Sequence, residues 1–261
     1  MRRFAIFVEG QTELITVREL LLRKFAIFVE GQTELITVRE LLLKKFCYLV
    51  SIECMTLFAK DKLEKAPHPY KNPNAQFHFQ LIDIGNDNAV LSRILDREKG
   101  MWTAGYERII GLRDMYSEAY RDISSQIDNK ITQRFIDEHN KTIKKQSQCP
   151  DKIMICFAIM EIEAWFLGMY QIFERLDTRL TVEYIRTQTG IDLEKVNPET
   201  EFFHPANQME AIYKIAGLSY DKSKEVIEAI ANRLTQEDYT DLIKSGKCHS
   251  FHQFYQALEE E

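Results

Sequence analysis

Acidic residues follow three apolar runs in this sequence: Glu30 and Glu34 after FAIFV, Asp114 after RIIGLR, and Glu161 with Glu163 after KIMICFAI. In an open parallel sheet, ligands bind beyond the carboxyl ends of the strands, so acids placed there face a common edge. Carboxylates gathered on one edge repel one another unless protons or cations intervene. Hard oxygen ligands in such a cluster suit Mg²⁺ or Mn²⁺. Taken singly, each acid is also what a strand-to-helix turn or a helix N-terminus carries, because the helix dipole favours an anion there. Their shared location is what points to a metal site.

The elements that must position these acids follow from pattern. FAIFV is a continuous apolar run bounded by Glu-Gly, which predicts a parallel strand covered on both faces. Leu35, Val38, Leu41 and Leu42 then fall at helical spacing, with Glu34 in the first turn. FCYLVSI, QFHFQLIDI, ERIIGLRD and KIMICFAI read as further strands, and residues 59–75, with Pro67, Pro69 and Pro73, read as a loop. A helix follows GNDN and is expected to end near Arg97. Ser117 to about Gln146 is polar and helical with a break near Asp128, and MEIEAWFLGMYQIF is expected to be one helix. Beyond Glu174 the pattern is helical throughout. Strands alternating with helices imply an α/β fold with a largely parallel sheet flanked by helices and a helical C-terminal region.

Phe4 to Leu22, FAIFVEGQTELITVRELLL, recurs without change at Phe25 to Leu43. Solenoid repeats diverge at most positions and need at least three units for stability, so this is a tandem duplication rather than a repeat architecture. The second copy runs directly into FCYLVSIECM, giving a strand, a helix and a strand joined by short connections. Glu30 and Glu34 are therefore expected to be the working pair, with Glu9 and Glu13 as displaced duplicate alternatives. The spare copy could pair at a sheet edge, form a homo-oligomer interface, or exchange with the first. The division that results is 1–24 as the extra copy, 25–172 as an α/β domain and 173–261 as the helical region.

Hydrophobic residues make up 45% and charged residues 28% of the chain, which is globular usage and excludes wholesale disorder. Five cysteines without a CxxC pair indicate neither a zinc ribbon nor a disulfide framework, and point to reduced thiols in a cytoplasm. No run of about 18 apolar residues occurs, so no membrane span is expected. The net charge of -6 argues against a protein that coats nucleic acid without specificity, since phosphate neutralisation drives such binding. Lys60, Lys62 and Lys65, or Lys141, Lys144 and Lys145, are candidates for local nucleic-acid contact, and each cluster also reads as a solvated face. His249 and His252 lack companions for a zinc motif. GNDN is not a phosphate loop. Lys222 reads as a possible phosphate contact or a solvated lysine, and Trp165 as core.

VEGQTE followed by a strand ending in an aspartate resembles the Toprim domain of topoisomerases, primases and OLD-family nucleases. The resemblance is closer to a Toprim-like family of bacteria, often encoded beside ATPases in mobile and phage-defence loci, with an Asp-x-Tyr motif and a later Glu-x-Glu-Ala segment. Here these are Asp114-Met115-Tyr116 and Glu161-Ile162-Glu163-Ala164. The resemblance covers about residues 25 to 170. His204-Pro205, Tyr220, Lys222 and Ser250-Phe251 extend it loosely into the tail. It implies a Mg²⁺- or Mn²⁺-dependent nuclease acting on DNA or RNA through attack of a metal-bound water, with an ATPase partner. Glu30 would be ligand or general acid/base, Glu34 and Asp114 ligands, and Glu161 or Glu163 would complete the shell. Gly31 would let the backbone approach a phosphate. Toprim nucleases generally carry Asp-x-Asp, whereas Tyr116 stands where the second acid would be. A non-catalytic binding or regulatory subunit is the alternative.

Overall fold

The structure is a computed structural model that describes residues 22–58, 62–85 and 89–259. It is an α/β fold built on a six-stranded sheet, and every strand pair is parallel except the one at one edge. The strands are β1 (Arg23–Val29), β2 (Val50–Phe58), β3 (Lys62–Lys65), β4 (Phe77–Asp83), β5 (Arg108–Asp114) and β6 (Ile153–Ala158), in the spatial order β3-β2-β4-β1-β5-β6. The helices between them are α1 (Gln32–Lys45), α2 (Val90–Thr103), α3 (Glu118–Arg121) and α4 (Asn129–Gln146). After β6 the described chain contains α5 (Glu163–Gly168), α6 (Ile172–Leu176), α7 (Val182–Thr189), α8 (Pro198–Glu201), α9 (Pro205–Ile215), α10 (Lys224–Arg233), α11 (Gln236–Ser245) and α12 (His249–Ala257).

The second copy of the duplicated segment supplies β1 and α1. β1 lies between β4 and β5, and its run from Phe25 to Val29 is buried on both faces. Phe25, Ile27 and Val29 pack with α1, while Ala26 and Phe28 pack on the opposite face against Val90 and Ile94 of α2. That two-sided burial is why the strand is apolar at every position rather than at alternate ones. Glu9, Glu13 and Lys60 lie outside the described residues.

The chain leaves β1 toward β2 and returns from β4 to β5, on the other side of β1. The order of strands thus reverses at β1, which places a crevice outside its carboxyl end. Close packing of α2 on β5 depends on Gly111. A Cβ there would stand 2.5 Å from Ile155, 2.9 Å from Val90 and 3.0 Å from Ile94. β3, at the free edge, carries Lys62 and Lys65, both exposed, and charge on an edge strand disfavours pairing with another chain.

The C-terminal helices do not form a core of their own. Ile172, Met209, Ile227, Leu242 and Phe251 belong to one hydrophobic cluster with Phe25, Ile27 and α1. Three local expectations change. The helix after GNDN runs to Thr103 rather than Arg97, held by the buried Met101 and by the Trp102 indole donating to Glu98 at 3.3 Å. MEIEAWFLGMYQIF breaks into α5 and α6 just after Gly168, which presses against Leu242 and Cys248 so closely that a Cβ would come within 2.8 and 2.9 Å of them. The stretch 59–75 is not all loop, because Lys62–Lys65 pairs with the end of β2 as β3. The break expected near Asp128 is present, with Asp128 capping α4 through Lys130 and Ile131 N–H at 2.8 and 3.2 Å. No helix among the described residues is long and apolar enough to cross a membrane.

Candidate functional site

Glu30 is the first residue after β1, and Asp114 is the last of the neighbouring β5. Because those strands are parallel and adjacent, the two acids meet: Glu30 Oε2 accepts the Asp114 backbone N–H at 2.9 Å. Glu34 enters from the first turn of α1 and is buried. Beyond β6 the chain turns at Met160, whose φ of 62° is left-handed, and this turn swings Glu161 and Glu163 back over the ends of β5 and β1. Tyr116 N–H to Met160 O at 2.7 Å, and Ile162 N–H to Asp114 Oδ1 at 3.0 Å, lock the turn to the end of β5.

Crowding shows in the proton affinities. Burial first, and then the charge of Glu30, push Glu34 up to about 8, with Glu163 adding to the shift. Asp114 is held well above the usual carboxylate range by burial, then by Glu34, Glu30 and Glu163. Glu34 and Asp114 are raised because the carboxylates around them share too little positive charge and too little water.

The positive charge that is present comes from Lys222, in the connection between α9 and α10. Its Nζ lies 2.9 Å from Glu163 Oε1 and 3.4 Å from Glu161 Oε1, and the Tyr220 hydroxyl donates to the same Glu163 oxygen at 2.7 Å. Burial works against its charge, but Glu163 and Glu161 outweigh that and raise its pKa. Lys222 is thus bonded into the acid cluster rather than simply solvated. Glu161 also accepts the Ala206 N–H at 2.9 Å, at the start of α9. Glu163 is fully buried, and its Oε2 has no hydrogen-bond partner.

The sequence-derived acids therefore divide into two groups. Glu30, Glu34 and Asp114 crowd the ends of β1 and β5, whereas Glu161 and Glu163 reach the cluster while holding Lys222. Asp83 was not singled out from the sequence. It ends β4, lies opposite Val29 in register, and has its carboxyl raised by burial against the lowering effect of the Gly85 N–H. The rule that picks out Asp114, an acid closing an apolar strand, also fits QFHFQLID.

Tyr116 does not point into the acids as a further ligand would. Its ring packs edge-on against Phe203 and His204, with centroids at 5.5 and 5.0 Å, and the Arg121 guanidinium lies 5.2 Å from its centre. Gly31 has extended backbone at φ -160°, and a Cβ there would make only an ordinary 3.5 Å contact with Glu34, so the fold itself does not require glycine. Trp165 is core, with its indole N–H shared between Ser250 at 2.8 Å and Glu199 at 3.2 Å. Lys141, Lys144 and Lys145 are exposed on α4.

Whether the acids suit a divalent cation can be judged from the donor set. Their chemistry fits: three oxygen-bearing side chains in one place, two of them with raised proton affinity, and beside them a buried carboxylate oxygen without a partner. Their present orientation is not that of a preformed site, since no group of three or more His, Cys, Asp or Glu among the described residues is arranged to hold a metal ion. Glu30 and Asp114 each already accept a backbone N–H with one carboxylate oxygen. Compared with known protein families, with characterised proteins and with solved structures, the chain matches none.

Proposed function

We propose that this chain is a metal-dependent nuclease, cleaving phosphodiester bonds of DNA or RNA with Mg²⁺ or Mn²⁺ held by Glu30, Glu34 and Asp114. The observation that carries the reading is the convergence of those carboxyls at the ends of β1 and β5, close enough that Glu34 is raised to about 8 and Asp114 well above its ordinary value. Such a cluster is under-neutralised, and a divalent cation relieves it. The metal, when bound, would supply Lewis-acid polarisation of a phosphoryl oxygen and a more acidic water. The chain's own part is to gather the ligands on rigid strand ends, to keep water scarce around them, and to place the Lys222 ammonium beside the cluster. The nuclease assignment, a Toprim-type domain and an ATPase partner in a cytoplasmic phage-defence setting rest on the resemblance of the VEGQTE, Asp-x-Tyr and Glu-x-Glu-Ala motifs.

A second reading, a non-catalytic binding or regulatory subunit, is favoured by two observations. Tyr116 is committed to Phe203 and His204 instead of supplying an acid, and Glu161 and Glu163 already have a cation in Lys222. The deciding experiment is cleavage of plasmid, single-stranded DNA and tRNA in Mg²⁺ and Mn²⁺, by wild type and Asp114→Asn, with and without an ATPase encoded beside it. Metal-dependent cleavage that Asp114→Asn abolishes supports the nuclease. A folded protein that binds Mn²⁺ and cuts nothing under any of these conditions supports the regulatory subunit.

A further inference from the structure

Glu161 and Glu163 differ from the other acids in having a cation already. Lys222 Nζ bridges them, at 3.4 and 2.9 Å, and the Tyr220 hydroxyl fixes the Glu163 oxygen that receives it. The lysine is built into its place. Its backbone is left-handed, at φ 56°, which few non-glycine residues adopt, and the preceding Asp221 carboxylate accepts the Ser223 N–H at 2.9 Å, closing the turn that carries it. Glu161, through the Ala206 N–H, ties the same point to the start of α9.

Taking the metal reading of Glu30, Glu34 and Asp114 as its basis, we propose that Lys222 is a tethered cation that occupies a second cation position, at Glu161 and Glu163, and limits the site to one divalent ion. The buried, unpartnered Glu163 Oε2 is the donor a second divalent ion would use if the lysine withdrew. An ammonium and a divalent ion compete for the same carboxylates, so removing the lysine charge frees two oxygen donors and strengthens the negative field at the other three.

The test is calorimetric titration with Mn²⁺ alone at pH 8, on wild type, Lys222→Met, Lys222→Gln, Lys222→Arg and Asp114→Asn, each checked for folding by circular dichroism. Wild type and Lys222→Arg are expected to bind one Mn²⁺. Lys222→Met is expected to bind a second, or the first at least tenfold more tightly. Lys222→Gln, which removes the charge but keeps a polar side chain with an N–H donor, gives the same reading if the methionine variant does not fold. Neutral variants that bind Mn²⁺ in the same number and with the same affinity as wild type overturn the proposal, as does an absence of binding in every protein. Asp114→Asn separates the two readings. If it binds like wild type, the strand-end metal site is wrong, whereas the comparison among the lysine variants still decides what Lys222 does. Binding by the neutral variants with none by wild type would uphold the lysine as cation while removing the metal from the native site.

Discussion

Glu30 and Asp114 are 84 residues apart, yet the carboxylate of one accepts the backbone N–H of the other at 2.9 Å. The bond ties the end of β1 to the end of β5 at the point where the strand order reverses, so Glu30 has a structural task as well as a candidate chemical one. Replacement separates the two. Glu30→Gln retains an oxygen acceptor and should keep stability within about 1 kcal/mol of wild type, while lowering Mn²⁺ affinity tenfold or more. Glu30→Ala leaves the Asp114 N–H unsatisfied and should cost a further ~1 to 2 kcal/mol in urea denaturation. Equal Mn²⁺ affinity for Glu30→Gln and wild type would remove Glu30 from the ligand set.

The raised carboxyls give the metal-free protein a pH dependence of definite sign. Glu34 titrates at about 8 in the fold against an ordinary glutamate value of 4.5, so its contribution is fully present below the unfolded value and is lost as pH rises through 8. Asp114, raised as well, acts in the same direction. His78 and His139 work the other way, since burial lowers both and their contribution is lost as pH falls below the ordinary histidine value of 6.5. Above pH 6.5 the histidines no longer contribute to the slope, so Glu34 is read between pH 6.5 and 8.5. There Lys44 and Lys45, lowered by burial, act in the opposite direction, and Glu34→Gln isolates the acid. With EDTA present, unfolding free energy should fall across that range by about 2 kcal/mol or more, and Glu34→Gln should flatten the profile. Added Mn²⁺ should restore stability at pH 8.5 and do little at 6.5. A flat profile for wild type would mean that the acids are better solvated than their burial implies.

How much of this was legible in the sequence depends on what set each feature. FAIFV announces a buried strand because two-sided burial requires apolar residues at consecutive positions, and the acids after it and after RIIGLR follow from the geometry of strand ends. MEIEAWFLGMYQIF could not show its break. An apolar segment buried all round has no periodicity to lose, and the neighbours that crowd Gly168 at the end of α5, Leu242 and Cys248, come from far along the chain. The Tyr220 and Lys222 contacts to Glu163 and Glu161 were equally hidden. They span 57 and 61 residues and arise from how α9 and α10 pack, which no local pattern encodes. Asp83 could have been found by the strand-end rule.

Gly111 offers a test of the packing that carries β5. A methyl at this position meets side-chain carbons from β6 and α2 at 2.5 to 3.0 Å, and β5 is interior to the sheet, so its backbone cannot move aside. Gly111→Ala should destabilise by about 1 to 3 kcal/mol, the ordinary cost of overpacking a filled core. The readout is the midpoint of urea denaturation, alongside Gly105→Ala as a contrast. Gly105 has open space around its Cβ position but a φ of 81°, so its loss of stability would come from the backbone alone. If Gly111→Ala matches wild type, α2 has room to shift outward.

The duplication makes a prediction of its own, because the copy that supplies β1 and α1 has a ready replacement for what precedes it. Deleting residues 4–24 joins Met1-Arg2-Arg3 directly to Phe25, which puts Arg2 and Arg3 where Arg23 and Lys24 stood. Arg23 pairs with Glu107 at 3.0 Å on the surface, a contact that Arg2 can remake and that is worth no more than about 1 kcal/mol. The shortened protein should therefore keep its stability within about 1 kcal/mol. It should also keep whatever Mn²⁺ binding and cleavage the full chain has, and Glu9→Ala in the full chain should be silent where Glu30→Ala is not. A change of assembly on deletion, read by light scattering, would show the first copy acting between molecules. Loss of activity with the fold intact would show the two copies exchanging places at the central strand. If fold, assembly and activity are all unchanged, the extra copy has no part in the function.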